Sequence, residues 1–129
     1  MAYNVLIVDD STLMRSVIQK TLKIANVNLG EVLQAGNGRE ALALLSEHWV
    51  DIVFADINMP EMNGIEMIKR MAQDGVLKTV PVVVISTERS ETRMLELRQA
   101  GVRAVLNKPF TPECIKAVID SILEEEPAA

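Results

Sequence analysis

A chain of 129 residues is long enough for one domain that buries its own core without disulfides. Its formal net charge of −5, with 49% hydrophobic and 24% charged residues, is ordinary for a globular protein and gives no electrostatic basis for binding nucleic acid. No apolar run approaches the ~20 residues of a membrane span, and Met1–Val5 lacks the basic segment and long apolar core of a secretory leader. The single cysteine, Cys114, rules out an intramolecular disulfide and is expected to be a small buried apolar residue in a reducing cytoplasm. His48 is the only histidine, which excludes a histidine-based metal site.

In chain order, short β-branched runs alternate with stretches at helical spacing. Val5–Val8 reads as the first strand, and Met14, Val17, Ile18, Thr21, Leu22 and Ala25 as the apolar stripe of a first helix. A weaker strand, Val32–Ala35, precedes a helix carrying Ala41, Leu44 and Leu45. Asn37 and Glu40 stand there as a capping box. Ile52–Ala55 is the third strand. Asn63 and Glu66 repeat the capping pattern before Ile65, Ile68 and Met71. Val80–Ile85 is the fourth strand, followed by Met94 and Leu97. Ala104–Leu106 is the fifth. Thr111, Pro112 and Glu113 give a last helix an N-cap, a proline at its first position and an acid in its first turn, ahead of Ile115, Val118, Ile119 and Ile122. Glu124, Glu125 and Glu126 then oppose the helix dipole and Pro127 stops it. Residues 1–129 therefore read as one domain with a core of about 4–123 and a frayed tail at 124–129.

Strict alternation of strand and helix implies an α/β fold, a doubly wound parallel sheet with helices on both faces. Runs one, three and four are nearly continuous apolar segments, as strands buried on both faces should be. Runs two and five are shorter or more polar and are expected at the edges. Ligands in such sheets bind beyond the carboxyl ends of the strands, where the strand order reverses.

The residues at those ends are informative. Asp9 and Asp10 follow strand one, and Asp56 follows strand three. Ser86 and Thr87 follow strand four, and Asn107, Lys108 and Pro109 follow strand five. Each alone is commonplace; an aspartate after a strand is usually a cap or a turn residue. Together they bring three carboxylates to one place, and unit charges ~4 Å apart interact by about 4 kcal/mol at an effective dielectric of about 20. Lys108 offsets one charge. A divalent cation offsets the rest, and hard oxygen ligands without His or Cys select Mg²⁺, or Mn²⁺, over zinc. One carboxylate is then left as a nucleophile toward a phosphoryl group.

In Val5-Leu6-Ile7-Val8-Asp9-Asp10-Ser11, Asp56-Ile57-Asn58-Met59-Pro60-Glu61-Met62-Asn63-Gly64, Ile85-Ser86-Thr87 and Lys108-Pro109-Phe110, the chain resembles the receiver domain of bacterial response regulators, most closely the stand-alone chemotaxis type. The resemblance implies a flavodoxin-like five-stranded sheet in the order 2-1-3-4-5 and a role in two-component signalling. It implies that Asp56 accepts a phosphoryl group from a histidine kinase. Asp10 binds Mg²⁺ directly, Asp9 through a water, and the backbone carbonyl of Asn58 supplies a further ligand. Ser86, the backbone of Thr87 and Lys108 engage the phosphoryl oxygens, Lys108–Pro109 is a cis peptide, and Gly64 opens the third helix. Asn58 and Glu88 flank the site. The implied output surface is the fourth helix, fifth strand and fifth helix, where Leu95 is either exposed or part of a broad core stripe. With no output domain after residue 123 in this sequence, the expectation is a monomer that acts by docking on a downstream protein, with no nucleic acid or membrane involved; a domain excised from a longer chain is the alternative. One departure stands out: the family has an aromatic residue three positions before the lysine, and this chain has Val105. Phe110 is expected to pack in the core.

Three other readings use the same residues. A haloacid-dehalogenase-type phosphotransferase needs an acid two residues after its nucleophile, and Asn58 occupies that place. A flavodoxin-like cofactor site needs phosphate-binding amides after strand one, where Asp9 and Asp10 would repel the ligand. A phosphorylation-independent adaptor of the same fold draws support only from Val105.

Overall fold

A computed structural model of the chain describes residues 2–56, 64–74, 80–86, 91–108 and 110–123. Ten elements alternate: β1 (Tyr3–Val8), α1 (Thr12–Ile24), β2 (Leu29–Ala35), α2 (Gly38–Glu47), β3 (Ile52–Ala55), α3 (Gly64–Gln73), β4 (Val82–Ser86), α4 (Glu91–Ala100), β5 (Ala104–Asn107) and α5 (Pro112–Leu123). The five strands are parallel, in the order β2-β1-β3-β4-β5. None of the described helices is long and apolar enough to cross a membrane.

The strand pleat explains the two layers that cover the sheet. Val5 and Ile7 of β1, Ile52 and Phe54 of β3, and Val83 and Ile85 of β4 point to one face and meet Ile18 and Leu22 of α1 and Ile115, Ile119 and Ile122 of α5. Leu6, Val8, Val53, Ala55, Val82 and Val84 point to the other. They meet Ala41 of α2, Met67, Ile68 and Met71 of α3, and Leu97 of α4. The central strands β3 and β4 are buried along their whole length, as their unbroken apolar runs require.

The helix starts follow local chemistry. The Ser11 hydroxyl accepts the Met14 N–H at 3.1 Å to cap α1. At α2, Asn37 Oδ1 accepts the Glu40 N–H at 2.9 Å, and Glu40 reaches back to the Gly36 N–H at 3.2 Å, one residue before the expected partner. At α5, Thr111 Oγ1 accepts the Cys114 N–H at 3.1 Å. The second expected capping box depends on Asn63, which lies outside the described residues, as do the 124–129 tail and the Lys108–Pro109 peptide.

Several expectations are corrected. Edge strand β2 is not short: it begins at Leu29 rather than Val32. Leu29 is half-buried against the α1–α5 core, while Gly30 and Glu31 are exposed and carry no apolar pattern. They are held instead by Tyr3 pairing with Leu29 ahead of a register shift, and by Asn4 Oδ1 accepting the Glu31 N–H at 2.8 Å. Gly30 permits this approach, since a Cβ there would lie 2.5 Å from Asn4 Oδ1. Strand β4 starts after Pro81, which has no N–H for the ladder. Val17 is 42% exposed, because α1 turns Ile18 and Leu22 squarely to the sheet and leaves Val17 off that line. Cys114 is exposed rather than buried: Ile115, Ile119 and Ile122 define the inner face of α5, and Cys114 points away from it. Phe110 packs against the α1–α5 side as expected, and Val105 is half-buried on the α2–α4 side. Leu95 is 57% exposed, which settles the choice its sequence position left open.

Candidate phosphoacceptor and metal site

The carboxyl ends of the strands are aligned by the sheet register. Val8 of β1 sits opposite Ala55 of β3, so Asp9 and Asp56 leave the sheet at the same level. The ladders continue one step past the strands: the Asp56 N–H donates to the Val8 carbonyl at 2.9 Å and the Asp9 N–H to the Ala35 carbonyl at 3.0 Å. On the far side Ser86 pairs with Asn107, and the Lys108 N–H donates to the Ser86 carbonyl at 2.9 Å. Asp9, Asp56 and Lys108 continue the pleat of the α1–α5 face, whereas Ser86 continues the other. The backbone thus delivers residues that lie up to ninety-nine positions apart, Asp9 to Lys108, to one small region.

Carboxylate oxygens of Asp9, Asp10 and Asp56 lie within 4.8 Å of one another. Lys108 Nζ stands 3.8 Å from Asp9 Oδ2 and 3.9 Å from Asp56 Oδ2, with its side chain 19% exposed. These separations exceed hydrogen-bond range, so the ammonium balances charge without being locked to either acid. Among the described residues, the three carboxylates outnumber the one ammonium that is ion-paired with them.

Asp9 is the most constrained of the three. It is 2% exposed, its Oδ1 accepts the Ser11 N–H at 2.9 Å, and its Oδ2 is buried with no hydrogen-bond partner among the described residues. Burial pushes its carboxyl pKa above the ordinary range. The Ser11 N–H opposes that shift, Asp56 adds to it, Lys108 opposes it and Asp10 adds a smaller push. Asp10 is exposed and Asp56 half-buried, so the cluster opens to solvent on one side. A buried carboxylate oxygen without a hydrogen bond among the described residues, facing two more carboxylates, suits a hard divalent cation, and the residues present fit one.

Of the residues singled out by sequence, Asp9, Asp10, Asp56 and Lys108 are brought together, and the buried Ser86 ends β4 beside them in the sheet. Asn58, Thr87 and Glu88 lie outside the described residues. Sequence reasoning missed Arg15, whose guanidinium donates from Nη1 to the Asp9 carbonyl and from Nε to Gln34 Oε1 at 3.0 Å. The available signal was a cation at the end of the first turn of α1, where it opposes the helix dipole.

Comparison with known proteins gives a consistent picture. Residues 5–120 match the family model described as response regulator receiver domain. A chemotaxis protein CheY homolog of Campylobacter jejuni is 35% identical over 119 residues, covering 92% of this chain and 90% of its own length. Chemotaxis protein CheY1 of Helicobacter pylori is also 35% identical, over 92% of this chain and 94% of its own. Among solved structures, chemotaxis protein CheY4 of Vibrio cholerae superposes with a TM-score of 0.83 at 34% identity, covering 95% of this chain and 99% of that one.

Proposed function

Because the chain belongs to the response regulator receiver family, we propose that Asp56 is the phosphoacceptor of this two-component response regulator, with a phosphohistidine of a sensor kinase as donor and Mg²⁺ held beside it. The observation that carries the reading is the buried Oδ2 of Asp9, without a hydrogen bond among the described residues, inside a three-carboxylate cluster that also contains Asp56. Folding tolerates such a cluster only where another charge completes it.

Asp56 is the nucleophile of the three. It follows a strand buried along its whole length, and its main chain is fixed by the bond to Val8. In the transfer an Asp56 oxygen bonds to phosphorus as the P–N bond breaks, and that electron pair stays with the donor imidazole. Asp9, Asp10 and Asp56, with the main-chain carbonyl of Asn58, would hold the cation. When bound it supplies positive charge against the carboxylates and the phosphoryl oxygens; Mn²⁺ serves the same chemistry. Lys108 lies within reach of Asp56 and pairs with a phosphoryl oxygen. The Ser86 hydroxyl and the Thr87 backbone N–H take the others. Positioning and charge carry this chemistry, which suits a protein that accepts a group rather than turning over a substrate.

The output is a docking change on α4, β5 and α5. Exposed Leu95, beside Glu91, Met94 and Arg98 in a shallow groove, supports that surface. The chemotaxis relatives favour a chemotaxis pathway; a cytoplasmic monomer belongs to the same proposal. Val105 cannot supply a ring that turns inward; it packs, half-buried, against the α2–α4 side of the core, so coupling between site and surface needs a route other than an aromatic turn.

The test is direct. Acetyl phosphate with Mg²⁺ should add one hydroxylamine-sensitive phosphate per chain, and Asp56→Asn should take none. Undiminished labelling of that variant would remove Asp56 as the acceptor.

A further inference from the structure

We propose that Arg15 is a positioning residue for the cation site, fastening the β1–α1 loop that carries Asp9 and Asp10 and so setting the affinity for Mg²⁺. The inference rests on the metal reading above and adds a residue that touches neither cation nor phosphate.

Arg15 is the fourth residue of α1, and its side chain runs back over the loop, as helical side chains tend to do. Nη1 donates to the main-chain carbonyl of Asp9, Nε to Gln34 Oε1 on β2 at 3.0 Å, and Nη2 to Thr12 Oγ1 at 3.3 Å. Gln34 is held in turn, its Nε2 donating to Gln19 Oε1 at 3.1 Å. One planar group thus ties the end of β1 to β2 and to the start of α1, and Gln34 carries the link on to Gln19.

None of these three acceptors is a carboxylate, although three carboxylates are near. The guanidinium works on the backbone of the acidic loop rather than on its charge. The remaining contacts of Asp9 show why this matters. Its N–H is taken by the Ala35 carbonyl and its Oδ1 by the Ser11 N–H, both main-chain groups. Arg15 closes the last main-chain valence of Asp9 and leaves Oδ2 as the atom turned to the cluster. Groups that orient metal ligands in this way commonly govern affinity without binding the metal themselves.

The sign of the effect separates positioning from electrostatics. A nearby cation acting only through its charge repels Mg²⁺, so deleting it should tighten binding. A cation acting as a fastener should weaken binding when deleted. Arg15→Lys separates the two further: it keeps the charge but loses the planar fork that serves Asp9 and Gln34 together.

Calorimetric titration of Mg²⁺ into the unphosphorylated chain tests this. The expected result is a dissociation constant about 10-fold weaker in Arg15→Met, and weaker by a smaller factor in Arg15→Lys. Acetyl phosphate labelling of both variants should recover near-native rates once Mg²⁺ is saturating, a rescue that general loss of structure would not give. Tighter or unchanged binding in Arg15→Met overturns the proposal. Should that variant fold poorly, Arg15→Lys decides alone, and native affinity there overturns it. A native chain that takes up no Mg²⁺ sinks the metal reading itself, and this inference with it.

Discussion

Strand β3 has an aspartate at each end, and the two live in different worlds. Asp51, just before the strand, has both carboxylate oxygens engaged: Oδ2 accepts the Asn4 N–H at 2.7 Å and Oδ1 the Trp49 indole N–H at 3.1 Å. Its own N–H donates to the Asn4 carbonyl at 2.8 Å, so it caps the strand as part of the fold. Asp56, just after the strand, faces two further carboxylates and a lysine held beyond hydrogen-bond range. At the first end the acid completes the backbone's hydrogen bonding. At the second the backbone is already complete, and three acids crowd together. A carboxylate that completes the backbone's own hydrogen bonding describes a structural role, and one crowded by further carboxylates describes a binding site.

The largest contrast should come from substituting each end in turn. Asp56→Asn should abolish phosphate incorporation, while Asp51→Asn should label at the native level and lose about 1 kcal/mol of stability, read from urea midpoints. Equal labelling of the two variants would break the comparison. Next in size is the response to the missing charge. Mg²⁺ at one hundred times its dissociation constant should stabilise the native chain by about 2.7 kcal/mol, and Asp51→Asn should keep that gain. A melting temperature indifferent to Mg²⁺ would mean that the carboxylates do not gather a cation.

A smaller effect should appear without metal. The Asp9 carboxyl pKa is raised by burial, so over the window above the ordinary carboxylate range the folded chain holds a proton that the unfolded chain has released. Stability therefore falls as pH rises through that window. Asp9→Asn should remove this slope and stabilise the metal-free protein at pH 7 by about 1 kcal/mol, with the gap to native closing toward pH 4. A gap that widens on acidification would reverse the assignment. The smallest effect belongs to a residue at neither end: Cys114→Ser should shift stability by less than about 0.5 kcal/mol, because its side chain is exposed on α5.

Most of the architecture was legible in the sequence because core strands and helix stripes are written by hydrophobic period. Ile52–Ala55 matched β3 to the residue, and Ile115, Ile119 and Ile122 mark the inner face of α5. The pattern was silent where hydrogen bonds rather than apolar contacts hold the chain, as at the exposed Gly30 and Glu31 of β2. It misled where an apolar residue falls just off the buried line, as at Val17 and Cys114. Met67, fully buried on α3, was missed beside Ile68 and Met71.

The chemical inventory of the site came from sequence alone: three acids, a hydroxyl and a lysine at successive strand ends, in an order shared with receiver domains. Residue type and order along the chain record which groups the chemistry requires. Only the tertiary structure decided how they differ. Burial left Asp9 Oδ2 without a hydrogen bond among the described residues, strand register set Lys108 at 3.8 Å from Asp9 and 3.9 Å from Asp56, and the turn of α1 brought Arg15 onto the Asp9 carbonyl. These are properties of distance and desolvation, which depend on what surrounds each group in three dimensions.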